Sequence, residues 1–229
     1  MLGYLDRDTE QPLVSLILDR AEQKGTGRLA AIAALELGVA APSISEAVSA
    51  RILSSKKQER VSSSQIYKKP EPKPAYLDIV DMKKALLAAK ISAYAQGFDI
   101  LSAANKEFDW DMNLADIAKI WRAGCIIRAR FLDEVADAFT TETKLLNLIM
   151  APHFSAILKD SIPSLRRTVK WAITRGIPSP VLSASLSYFE TYTSLNLPAN
   201  LIQGQRDYFG SHGFERIDKP GYYTDNWNQ

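Results

Sequence analysis

Apolar residues recur at helical spacing along almost the whole chain, while the alternating β-branched runs that a strand needs are scarce. This pattern predicts an all-α protein. Leu13, Leu16, Ile17 and Ala21 form one face of a short helix behind Pro12, whose fixed φ suits a first turn. A glycine-punctuated turn follows, and then an alanine-rich helix from Gly27 to Leu37 that stops at Gly38, where a left-handed residue is expected. Ser43 and Glu46 have the S-x-x-E spacing of a capping box, which predicts a helix through Arg51 towards Ser55. From Lys56 to Pro74 the apolar period fades, lysines gather and three prolines close the stretch, so a frayed helix end passing into a linker is expected there.

Beyond the linker, Ile79, Met82, Leu86, Ala89 and Ala93 share one stripe of a long, central helix from Asp78 to Asn105. A second long helix is predicted from its N-cap Asn113 through Trp121, Gly124 and Phe131 to about Phe139. Shorter helices are expected at Pro152 to Leu158, Ser164 to Arg175, Pro180 to Tyr192 and Pro198 to Phe209, each set off by proline or glycine. The expected architecture is a large helical bundle with two long central helices, residues 1–209, and an extended C-terminal tail, residues 210–229. The tail carries Phe214, Tyr222, Tyr223 and Trp227, and rings at that density imply docking on this chain or on a neighbouring one.

Composition narrows the class without choosing a function. At 229 residues the chain can bury a core without staples, and a net charge of +2 advertises no charge-driven polymer binder. A single cysteine, Cys125, fits a reducing compartment, so the cytoplasm is the expected location. The acidic start MLGYLDRDTE has no signal-peptide pattern, and no stretch reads as a membrane span. Lys56, Lys57, Arg60, Lys68, Lys69 and Lys73 lack interleaved aromatic platforms, so no nucleic-acid partner is expected. His153 has no Cys, Asp or Glu at ligand spacing, and no metal site is predicted.

Three features carry candidate chemistry, each with a plainer reading beside it. In QKGTGR, residues 23–28, Lys24, two glycines and Thr26 stand directly before a helix, which suits a phosphate or carboxylate and equally suits an ordinary turn. Arg51 falls on the stripe of Ile44, Ala47 and Val48, so a core-facing arginine is expected, serving as an ion pair, a snorkelling stem or an anion ligand. Arg206, at the end of the last helix, and His212, just beyond it, could grip an anion, while the helix macrodipole alone also favours a cation there. Arg122, Arg128, Arg130, Arg166 and Arg167 read as solvated or ion-paired faces.

Taken together, AEQKGTGR (residues 21–28), SEAVSARILSS (45–55), KISAYAQGF (90–98), IWRAGCIIRARFLDEVADAF (120–139), LPANLIQGQRDYFGSH (197–212) and FERIDKPG (214–221) resemble the C-terminal helical domain of 6-phosphogluconate dehydrogenase. That family oxidises and decarboxylates 6-phosphogluconate with NADP, giving ribulose 5-phosphate in the pentose phosphate pathway and in gluconate utilisation. The resemblance implies that Lys24, Thr26 and Arg51 hold the substrate's phosphate, with Arg206 and His212 contributed by the tail of the neighbouring subunit in an intertwined homodimer. Glu22, Arg28 and Leu29 depart from the family's usual glycine, lysine and tryptophan.

Two family elements are not found in these residues: a G-x-G-x-x-G strand-turn-helix for the cofactor, and the K-x-x-H-N-x-x-E segment that supplies base and acid. By the resemblance, this chain is then the substrate-binding and dimerisation part, with no catalytic residue of its own. NADP belongs to the complete enzyme and is not expected to bind this chain alone. A separate NADP-binding half or a full-length relative is the implied partner. The competing reading is an inactive helical interaction module derived from the same family.

Overall fold

The computed structural model describes residues 3–22, 24–70, 76–122, 124–125, 127–129, 131–142 and 144–227. Gln23 of the glycine turn, Lys73 of the lysine cluster and Arg130 lie outside the described residues. The protein is all-α, with ten α-helices and one two-stranded ribbon among the described residues. It divides into two compact units, residues 1–188 and 189–229, the boundary falling inside a helix.

The first unit contains α1 (Leu13–Leu16), α2 (Thr26–Glu36), α3 (Pro42–Ser55), α4 (Lys57–Ile66), α5 (Ile79–Phe108), α6 (Leu114–Ile120), α7 (Leu132–Thr141), α8 (Pro152–Ile173) and most of α9 (Pro180–Tyr192). Its core is α5 against α8. Ala85, Ala88, Ala89 and Ala95 on α5 leave room for the larger Phe154, Leu158, Ile162 and Leu165 of α8, all of them buried. At the rim the Asp81 carboxylate accepts both a fork from Arg167, at 2.6 and 2.9 Å, and the Ser164 hydroxyl at 2.8 Å. Those bonds, led by Arg167, hold the Asp81 carboxyl down to about 2 despite partial desolvation.

The second long helix is α8, not the one expected from Asn113 to Phe139. That stretch is broken into α6 and α7, and Gly124 between them takes φ +74°, which no helix accommodates. Asn113 does cap α6, its side chain accepting from the amides of Ala115 and Asp116. Conversely α8 runs through Pro163, where two helices were expected. Pro163 is solvent-facing, so the carbonyl it leaves unbonded can turn to water while Ile162, Ser164 and Leu165 stay buried. Within residues 56–74, where a frayed end was expected, α4 forms instead, and two of its cations are neutralised locally: Lys57 and Arg60 both reach Asp19, at 2.5 and 3.0 Å. The first helix stops at Leu16, short of Ala21.

Ser43 caps nothing. α3 starts one residue earlier with Pro42 in its first turn, and its N-cap residue, Ala41, makes no side-chain cap bond. Ser43 is buried, and its amide donates to Gln96 Oε1 at 2.9 Å, while its Oγ accepts from Gln96 Nε2 at 2.9 Å and pairs with Ser185 Oγ at 2.9 Å. This polar knot ties α3, α5 and α9 and satisfies groups that would be costly to bury alone.

The second unit comprises the end of α9, α10 (Ala199–Gly210) and the ribbon of β1 (Phe214–Glu215) and β2 (Tyr222–Tyr223), antiparallel with Phe214 opposite Tyr223. The tail rings dock in part on this unit itself: Trp227 lies edge-on to Tyr208 of α10 and tilted against Phe214.

Candidate anion-binding site

The glycine turn is built by two different demands on glycine. Gly25 precedes α2 with φ +103°, a conformation that L side chains rarely adopt. Gly27, in the first turn, faces α3, and a Cβ there would stand 3.0 Å from Val48 Cγ2. Gly25, at the N-cap, has no side chain to cap α2, and among the described residues no side chain bonds its leading amides, which suits water or a ligand there. Lys24 and Thr26 flank Gly25, and both are exposed. Thr26 and Gly27 also line a largely apolar cleft of about 680 Å³ with Ala30, Ile44, Tyr94 and Trp121, and Lys90 and Arg128 stand in its wall.

Arg51 is exposed on α3 rather than core-facing. Its guanidinium donates to the Glu22 carbonyl, two residues before Lys24. Beside it, the Ser54 hydroxyl donates to the Ala21 carbonyl at 2.9 Å and accepts the Ala21 amide at 3.0 Å. Asp19 is held by Arg60 and Lys57, which keep its carboxyl well below the usual range. The segment leading to Lys24 is thus stapled residue by residue onto α3 and α4. The structure places Arg51 against the Glu22 carbonyl, two residues before Lys24 and four before Thr26, ahead of the start of α2.

On the second unit, Arg206 and His212 are both exposed. Arg206 lies just ahead of the last turn of α10, so the macrodipole does not account for it, and it donates to Gln203 Oε1 at 2.9 Å. His212 follows Ser211, whose left-handed φ of +50° ends the helix. Between the two candidates sits a residue that sequence reasoning passed over. Asp207 is buried to 2% exposure and accepts hydrogen bonds from Gly213, Thr224, Asp225 and Trp227. The available signal was an acid near a helix C-terminus, where the macrodipole disfavours it.

Among the described residues no group of His, Cys, Asp and Glu is placed to hold a metal ion, and no helix is long and apolar enough to cross a membrane. The one sheet among them is the short ribbon, so they present no strand-turn-helix cradle for a dinucleotide pyrophosphate.

Residues 1–227 match the family model described as 6-phosphogluconate dehydrogenase, C-terminal domain. The chain belongs to the 6-phosphogluconate dehydrogenase family. It is 44% identical over 226 residues to the NADP(+)-dependent, decarboxylating 6-phosphogluconate dehydrogenase of Bacillus subtilis, covering 97% of this chain and 48% of that protein. It is 45% identical over 218 residues to the decarboxylating 6-phosphogluconate dehydrogenase of Escherichia coli, covering 94% and 47%. Among solved structures, it is similar to Plasmodium falciparum 6-phosphogluconate dehydrogenase, studied in its apo form and in complex with NADP+ and with 6-phosphogluconate. That match has a TM-score of 0.91 and 41% identity and covers 97% of this chain and 49% of the other. The chain therefore spans about half the length of the 6-phosphogluconate dehydrogenases it matches, and the fold described above is the C-terminal, helical part of that family.

Proposed function

We propose that this chain is the substrate-binding and dimerisation part of a 6-phosphogluconate dehydrogenase, and that it grips the phosphate end of 6-phosphogluconate at the start of α2. The observation that carries this reading is the stapled glycine turn. An uncapped helix N-terminus, the Thr26 hydroxyl and the cations Lys24 and Arg51 are held together by bonds from α3 and α4 to the segment before the turn. Such an array suits a dianion, because backbone amides supply fixed dipoles while lysine and arginine supply charge.

In the complete reaction NADP accepts hydride from C3 of the sugar acid, the resulting β-keto acid loses carbon dioxide, and ribulose 5-phosphate is released. The residues of this chain bind and orient the substrate for that chemistry. Arg206 and His212 close on the same phosphate from the tail of a second copy. Exposed apolar side chains on the second unit support such an exchange: Phe209 is 80% exposed, Leu201 65% and Ile202 57%. The oxidation itself requires a cofactor-binding half, so the isolated chain is expected to reduce NADP at no enzymatic rate.

Calorimetric titration tests the reading. 6-Phosphogluconate is expected to bind at millimolar concentration or below, gluconate is expected to bind far more weakly, and Arg51→Ala should weaken the former by about tenfold or more. Absence of binding by the wild-type chain, or indifference to Arg51→Ala, overturns it.

A further inference from the structure

Among the described residues Asp207 is the one buried carboxylate, and the phosphate site does not use it. Asp207 immediately follows Arg206 on α10, and its carboxylate is enclosed by donors: the Gly213 amide at 2.8 Å, the Thr224 hydroxyl at 2.8 Å, the Asp225 amide at 3.0 Å and the Trp227 indole N–H at 2.8 Å. Gly213 is the residue after His212, and the other three lie beyond the ribbon. One side chain therefore closes both ends of the segment 212–227 onto α10.

The seat of His212 is shaped from the same place. The Ser211 amide donates to the Asp207 carbonyl at 2.8 Å, ending the helix in a left-handed turn. The His212 ring then lies over Gly210, where a Cβ would stand 2.8 Å from Nε2 and 3.0 Å from Cδ2. Any side chain at residue 210 would push the imidazole away.

We propose that Asp207 is a positioning residue: it fixes where the His212 imidazole stands relative to Arg206, so that the two arrive at the phosphate as one preformed clamp. This rests on the reading of Arg206 and His212 as phosphate ligands. Burial and the helix C-terminus both oppose a carboxylate here, and an amide could not replace it, since asparagine offers a single oxygen and two N–H groups of its own to four facing donors. A clamp fixed before binding loses less conformational freedom when the anion arrives.

A double-mutant cycle on the 229-residue chain, titrated with 6-phosphogluconate, tests this. Asp207→Asn is expected to weaken binding by about tenfold, and by less than about twofold when His212→Ala is already present. No loss, or the same loss with and without His212, overturns the proposal. A second measurement holds even where Asp207→Asn does not fold. In the wild-type chain the Gly213 amide should be protected from hydrogen exchange and the His212 ring should show nuclear Overhauser contacts to Gly210; absence of either overturns the proposal. These two readouts need no ligand, so failure of the wild type to bind 6-phosphogluconate would count against the substrate reading alone.

Discussion

Gly27 and Val48 meet so closely that a single methyl group on Gly27 would press 3.0 Å from the valine's Cγ2. This contact sets how near the start of α2 approaches α3, the helix that carries Arg51. Valine is nearly locked at χ1 in a helix and has little room to turn aside. Gly27→Ala is therefore expected to destabilise the chain by about 1 kcal/mol, overpacking outweighing alanine's better helix propensity. In a Val48→Ala background the sign should reverse, because the obstruction is gone and only the propensity gain is left. Denaturant unfolding of the four chains checks this.

Acid should undo the tail. Burial opposes the charge on Asp207, but bonds from Asp225, Trp227, Thr224 and Gly213 outweigh it and hold the carboxyl down to about 2. A depressed folded value means that the stabilisation is complete above the unfolded carboxyl range near 4 and disappears as pH falls through about 2. The indole N–H resonance of Trp227 should accordingly shift between about pH 4 and pH 2 and stay constant from pH 5 to 8. A shift centred near neutrality would contradict the assignment.

The knot of Ser43, Gln96 and Ser185 lies in the packed interior, with Gln96 and Ser185 at 0% exposure. Ser43→Ala removes the acceptor of the Gln96 amide and leaves that donor buried and unpaired. A loss of about 1–3 kcal/mol is expected in urea unfolding. Gln96→Leu combined with Ser43→Ala should not recover it, because the main-chain amide of residue 43 then loses its acceptor, Gln96 Oε1.

Pro163 interrupts the ladder of α8 on its solvent side. Replacing it with alanine restores the amide that the preceding turn lacks, and Pro163→Ala is expected to raise stability by about 1–3 kcal/mol, somewhat offset by a freer unfolded chain. Calorimetric unfolding of the variant measures the balance.

Local signals served where local chemistry decides. Asp78 caps α5 through the Val80 amide, Gly38 takes the left-handed position after α2, and α9 begins at Pro180 and ends at Tyr192 as its punctuation indicates. Periodicity misled between residues 113 and 139, because Trp121, Phe131 and Leu132 keep a helical rhythm across a break at Gly124. Trp121 and Phe131 nonetheless pack on α5, against Phe98 and Tyr94, so burial is shared by residues on both sides of the break. The glycine turn was legible because φ > 0 and close approach both select glycine. The outward direction of Arg51 was not, since its partner is a backbone carbonyl, which no side-chain pattern reports. Asp207 was invisible for the same reason: two of its four donors are main-chain amides.

The bond from Arg51 to the Glu22 carbonyl has a consequence for which cation the position tolerates. A guanidinium is a planar fork with donors pointing in several fixed directions, and fastening one Nη2 hydrogen to the chain leaves Nε and Nη1 aimed elsewhere at no further cost in freedom. An ammonium group has a single centre and cannot span two acceptors that lie apart in this way. Lysine at this position would have to choose between holding the chain and meeting an anion, which makes the exchange of one positive charge for another a change of architecture rather than of charge.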